Sequence, residues 1–211
     1  MDLLALSINI RQLFLGSERN FFGLPVDQKH RGKIISINSY YRRFSLKHAG
    51  ALPTKTHAQF IVWKTNHRLR LGFPVGWYMY GPFCPIPFGF SFRDNLNDEE
   101  KNVVEKAAID LMRFGTLKLE RIASVYQPIH EARLDIVHGK RRDAFVNLRR
   151  HAPPETRDLI RPCEGEQFAS LWRYISLVRL RDSLRFYYGK RIDLYLWRQI
   201  LRARRMVQQA E

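Results

Sequence analysis

The stretch NLNDEEKNVVEKAAIDLMRFG, Asn95 to Gly115, decides the fold class. Asn97 can accept from the backbone N–H groups of a first helical turn, while Glu100, three residues on, reaches back to the Asn97 backbone. Asp98, Glu99 and Glu100 put negative charge at the positive end of that helix. Val103, Val104, Ala107, Ala108, Leu111 and Met112 recur at spacings of three and four, so one face belongs to a core. Gly115 marks the stop. Thr116 is placed to cap the next segment, LKLERIASVY, where Leu117, Leu119, Ile122, Ala123 and Val125 predict a short second helix. Two helices joined this tightly resemble a helix-turn-helix, and equally any αα-corner.

Toward the C-terminus, residues 127–165 read as looser chain carrying the basic run HGKRRDAFVNLRRH and the turn former APPE. From Glu166, the stripe Phe168, Leu171, Trp172, Ile175, Val178 and Leu184 predicts a long helix that stops at Gly189. The segment KRIDLYLWRQILRARRMVQQ predicts a last helix that buries Ile192, Leu196, Trp197, Ile200 and Leu201 and turns Arg198, Arg202 and Arg205 outward. The C-terminal third is therefore expected to be a helical hairpin.

Toward the N-terminus lies LGFPVGWYMYGPFCPIPFGFSF, Leu71 to Phe92, 22 residues without a charge. About 20 apolar residues suffice for a membrane-spanning helix. Here Gly72, Gly76, Gly81 and Gly89 alternate with Pro74, Pro82, Pro85 and Pro87, and prolines remove donors and clash with the preceding turn. The segment is expected to be an irregular connector packed between helices. Before it, KTHAQFIVWKTNHRL predicts a helix capped by Thr54. The β-branched and aromatic residues of GKIISINSYYRRFSL suggest a small β element near residues 33–46. Residues 3–15 lean to helix. The expected fold class is mainly α, with an N-terminal region at 1–53, a helical core at 54–130, and a basic helical region at 131–211 packed on that core.

The chain has 211 residues, 45% of them hydrophobic, which suffices for a sizeable core. Its net charge of +16 points to a polyanionic partner: nucleic acid, an acidic protein or an anionic membrane surface. From Ala107 onward 18 of the 21 basic residues are arginine, the side chain that forks onto phosphates and carboxylates. Lys140, Arg141 and Arg142, then Arg149 and Arg150, would share one side of a helix and could contact phosphates. Arg198, Arg202, Arg204 and Arg205 pose the same choice between a polyanion site and a solvated face. A membrane surface is disfavoured, because the last helix is expected to keep no bulky apolar face once its partner is covered.

Cys84 and Cys163 show no zinc or disulfide spacing. The seven histidines form no HExxH, HxH or facial-triad pattern, and no P-loop, nucleophile elbow or dinucleotide-binding glycine motif is present. No catalytic residue, cofactor or metal is expected; His130 beside Glu131, with Asp135 one turn on, is the nearest approach to an acid–base pair. The N-terminus has an acid at Asp2, no basic n-region and no small-residue cleavage site, so cytoplasmic residence is expected.

Three pieces in order carry a family likeness: the helix after Lys55, the run GFPVGWYMYGPF, and the helices within LNDEEKNVVEKAAIDLMRFGTLKLERIAS. Together they resemble the Panacea-type antitoxin domain, a group of small helical proteins that includes phage-associated proteins and a proteolytic-adaptor antitoxin. Tyr78, Tyr80, Gly81, Pro82 and Phe83 match the aromatic–x–Tyr–Gly–Pro–aromatic piece. Leu96, Asn97, Asp98 and Glu99 open the following helix as in the family, Phe114 and Gly115 close it, and Leu119, Glu120 and Ala123 continue. The likeness covers about residues 54–130. It implies a non-enzymatic regulatory protein that binds and neutralises a protein partner such as a toxin. The residues alone leave open a DNA- or RNA-binding protein acting through its arginine clusters, and more distantly a divergent nuclease.

Overall fold

The computed structural model describes residues 28–85, 95–139 and 141–209. The expected helix at 3–15 and the end of the connector, 86–92, lie outside these residues. The described chain is mainly α. Its elements are α1 (Gln28–Ala49), α2 (Lys55–Leu69), β1 (Gly76–Tyr78), β2 (Gly81–Phe83), α3 (Asp98–Met112), α4 (Thr116–Tyr126), α5 (Pro128–Val137), α6 (Arg141–His151), a 3-10 turn (Pro154–Leu159), α7 (Gly165–Tyr188) and α8 (Arg191–Gln209). They divide into two compact units, residues 1–73 with 84–113 and residues 74–83 with 114–211. The division runs through the 54–130 stretch, and α3 and α4, whose sequences resemble a helix-turn-helix and equally an αα-corner, belong to different units.

In the first unit, α1, α2 and α3 pack pairwise. The capping box is present: Glu100 N donates to Asn97 Oδ1 at 2.9 Å, and Asn97 N donates to Glu100 Oε2 at 2.9 Å. Lys33 Nζ of α1 donates to both Glu100 oxygens at 2.8 and 2.9 Å, so one carboxylate both starts α3 and ties it to α1. Burial raises the Glu100 pKa, but Lys33 and the Asn97 N–H outweigh it and the net shift is downward. Thr54 caps α2 by accepting from His57 N, and Arg70 ends it in the left-handed region at φ 52°.

The β element expected near 33–46 is instead the middle of α1, 22 residues long. Ile34, Ile37 and Tyr41 are fully buried at spacings of three and four, together with Asn38 and Ser45. Strand alternation would have exposed Ile37 opposite Ile34; the helix buries both, and packing overrides β propensity.

In the second unit, α7 is the spine. Phe168, Leu171, Trp172, Ile175, Val178, Leu180 and Leu184 are buried along it, and Gly189 caps it at φ 57°. The connector forms an antiparallel hairpin, with Gly76 opposite Phe83 and Tyr78 opposite Gly81, and is thus more regular than expected. Gly76 lies against α7, where an added Cβ would sit 2.8 Å from Leu180 Cδ1 and 3.2 Å from Ser183 Cβ. The α7–α8 hairpin forms as expected, held by Ile192, Leu196, Ile200, Ala203 and Val207. Thr116 begins α4 as a helical residue, and Gly115 occupies the cap position without a side-chain bond. Residues 127–165, expected loose, hold α5, α6 and the 3-10 turn. Pro128 at the first turn of α5 suits its missing N–H.

Candidate functional site

The motif Tyr78, Tyr80, Gly81, Pro82 and Phe83 is a clasp within the second unit. Gly81 and Pro82 are buried, and Gly81 adopts φ of 149°, a conformation glycine tolerates. The turn presents the Met79 carbonyl, which accepts from Trp172 Nε1 at 3.0 Å. Tyr78 packs edge-on against Phe83 at 5.9 Å, and burial pushes its hydroxyl pKa up against the opposing pull of Arg173. The Arg133 guanidinium lies 5.2 Å from the Tyr80 ring centre and 5.7 Å from that of Trp172. Arg133 also donates to Glu120 Oε2 at 2.7 Å in a largely buried pair. These residues hold the hairpin, α4, α5 and α7 together.

His130 sits inside this clasp, 1% exposed, with its ring 6.0 Å from Trp77 and 5.4 Å from Trp172. Burial, then the charges of Arg179 and Arg133, push its pKa down to about 3. Its Nε2 has no hydrogen-bond partner among the described residues. The acid–base pair suggested by His130, Glu131 and Asp135 does not form around it: Glu131 is exposed, and the charges that face the ring are cationic. A base for neutral pH needs a pKa near 7. Among the described residues no group of three His, Cys, Asp or Glu side chains is arranged to hold a metal ion.

The basic residues divide by whether the protein already uses them. Lys140 lies outside the described residues, and of Arg141 and Arg142 only their place at the start of α6 is described. Arg149 Nη2 donates to the Ile160 carbonyl at 2.6 Å and so pins α6 to the following turn. Arg150 is exposed. Arg179 donates to Gln127, Arg181 forks onto Glu155 at 2.9 and 2.8 Å, and Arg185 forks onto Asp193 at 3.1 and 3.0 Å. Arg198, Arg202 and Arg205 are different. They are exposed on the outer face of α8, and none is ion-paired among the described residues.

That face also corrects the sequence reading of α8. Trp197, assigned there to the core, is 58% exposed, and Leu201 is half-buried. The buried face is completed by Ala203 and Val207, which leaves Leu194, Trp197 and Leu201 in a row at spacings of three and four on the opposite side. Leu194 is 81% exposed, and Phe186, near the end of α7, is 88% exposed. An apolar stripe therefore does remain, two turns long and flanked by Arg198, Arg202, Arg204 and Arg205. Five arginines in α8 stand against one acid, Asp193, which Arg185 holds. No helix among the described residues is long and apolar enough to cross a membrane.

No family model matches the chain, and neither a curated protein nor a solved structure matches it.

Proposed function

We propose that this chain is a non-enzymatic regulatory protein that binds and neutralises an acidic protein partner through the outer face of α8, in the manner of the antitoxins that residues 54–130 resemble. The observation that carries the reading is the row of exposed Leu194 and Trp197 and half-buried Leu201 beside Arg198, Arg202 and Arg205, which are exposed and not ion-paired among the described residues. Tryptophan and arginine dominate the energetics of protein interfaces. Nucleic acid would use the arginines and could stack a base on Trp197, but it has no call for the exposed Leu194 one turn before it. A bilayer would demand a wider apolar face than this narrow stripe. A second copy of the chain would set arginine against arginine. The complement is a helix with apolar residues at the same spacing and Asp or Glu beside them.

Co-expression with the product of the neighbouring gene tests the reading. The two proteins are expected to copurify, and the variant Arg198→Glu/Arg202→Glu/Arg205→Glu is expected to lose the partner while keeping its helical circular dichroism. A mobility shift with duplex DNA or RNA and sedimentation with phosphatidylserine vesicles run beside it. No copurification, together with α8-dependent binding to nucleic acid or vesicles, would replace the reading with one of those alternatives.

A further inference from the structure

We propose that the first unit carries a separate site for a nucleotide unit, in the cleft between the C-terminal halves of α1 and α3. The cleft has a volume of about 790 Å³, within the range of roughly 300–1,000 Å³ typical of small-ligand sites. Its α1 wall presents Tyr40, Phe44 and His48 at a spacing of four, which places three flat rings in one row along the helix. His48 packs against Phe44, with ring centres 4.3 Å apart and planes tilted by 33°, so the row ends in two rings in close contact, the outer of which is exposed. The Tyr40 hydroxyl donates to Glu105 of α3, which fixes the inner end of the row.

Beside the rings runs a row of cations. Arg43 and Lys47 come from α1, the guanidinium of Arg43 lying 5.9 Å from the Tyr40 ring centre, and Arg113 comes from the end of α3. Lys47 and Arg113 are exposed and have no ion-pair partner among the described residues. Against these three cations the walls supply one acid, Glu105, whose carboxylate is engaged by Tyr40. Ile109 and Met112 give α3 an apolar wall. Flat π-faces with adjacent cations match a nucleobase joined to phosphate: the base stacks on the Phe44–His48 end and the phosphate meets Lys47 and Arg113. The same chemistry is offered by a free nucleotide and by one residue of a single strand. The site shares no residue with α8.

The test uses the full chain, a fluorescein-labelled twelve-residue oligothymidylate, and AMP as competitor. Wild type is expected to bind the oligonucleotide with a log–log salt slope of about −1.4, at about −0.7 per phosphate for contacts to Lys47 and Arg113. Lys47→Glu/Arg113→Glu should weaken binding at least tenfold. His48→Ala, at an exposed position, should weaken it roughly fivefold or more through the lost stacking face. The α8 triple variant should bind as wild type does. Competition by AMP assigns the site to free nucleotides, and its failure assigns the site to single strands. Absence of binding by both probes at 50 mM salt, as a rough low-salt condition, overturns the proposal. So does binding that survives Lys47→Glu/Arg113→Glu or is indifferent to His48→Ala. Because α8 is untouched in these variants, copurification of the protein partner is unaffected by either result.

Discussion

The burial of His130 makes stability depend on pH in a window of its own. In the unfolded chain the ring takes a proton near its ordinary pKa of 6.5, whereas in the folded chain burial, Arg179 and Arg133 hold that value to about 3. Between these pH values the unfolded state binds more protons, so stability is whole above 6.5 and falls as the pH drops toward 3. At about 1.4 kcal/mol per pH unit, the loss reaches roughly 1.4 kcal/mol at pH 5.5 and about 2.7 kcal/mol at pH 4.5. Glu100 acts lower on the scale. Burial raises its pKa, but Lys33 and Asn97 bring it below 4.5, so its contribution is present above 4.5 and is lost only as pH falls beneath that value. The perturbation is His130→Phe, which keeps an aromatic ring against Trp77 and Trp172 and removes the titration. Urea unfolding followed by circular dichroism at pH 7.0, 5.5 and 4.5 should show wild type losing about 1.4 and then about 2.7 kcal/mol more than the variant. Parallel losses in the two proteins would refute a neutral histidine buried between indoles and arginines.

Other changes probe other contacts. Gly76→Ala should destabilise the second unit by about 1–3 kcal/mol, since the new methyl meets Leu180 and Ser183 of a well-packed helix; thermal unfolding reads it. Glu120→Ala should cost about 3–5 kcal/mol by leaving Arg133 charged and largely buried, whereas replacing both residues with apolar ones should cost much less. Asn97→Ala removes the acceptor for Glu100 N and should cost about 1 kcal/mol in urea unfolding. Trp197→Ala should leave the melting temperature within a few degrees, because the ring is exposed, while weakening the copurifying partner by about 2 kcal/mol or more in calorimetry.

The parts of this fold that could be read in the sequence are those fixed by local chemistry. Asn97 and Glu100 satisfy each other's backbone within one turn, so α3 was legible from four residues. Gly189 marked the end of α7 for the same reason. α1 was misread because buried polar residues, Asn38, Ser39 and Ser45, interrupt its apolar stripe and leave β-branched content as the louder signal. That error also hid the cleft: Tyr40, Phe44 and His48 form a row only once the chain around them is helical. Trp197 reads as core because it is apolar, yet Ala203 and Val207 complete the inner face of α8 and the indole stands outside it, 58% exposed. The arginines could be counted but not sorted. Which of them face Glu155, Asp193 or the Ile160 carbonyl depends on contacts across the second unit.

The central claim is that the outer face of α8 captures and silences an acidic protein. Growth of cells expressing the neighbouring gene's product is the most direct measurement. That product alone should arrest growth, co-expression of this chain should restore it, and the folded Arg198→Glu/Arg202→Glu/Arg205→Glu variant should fail to do so. A neighbour harmless on its own, or rescue undiminished by the three reversals, would contradict it.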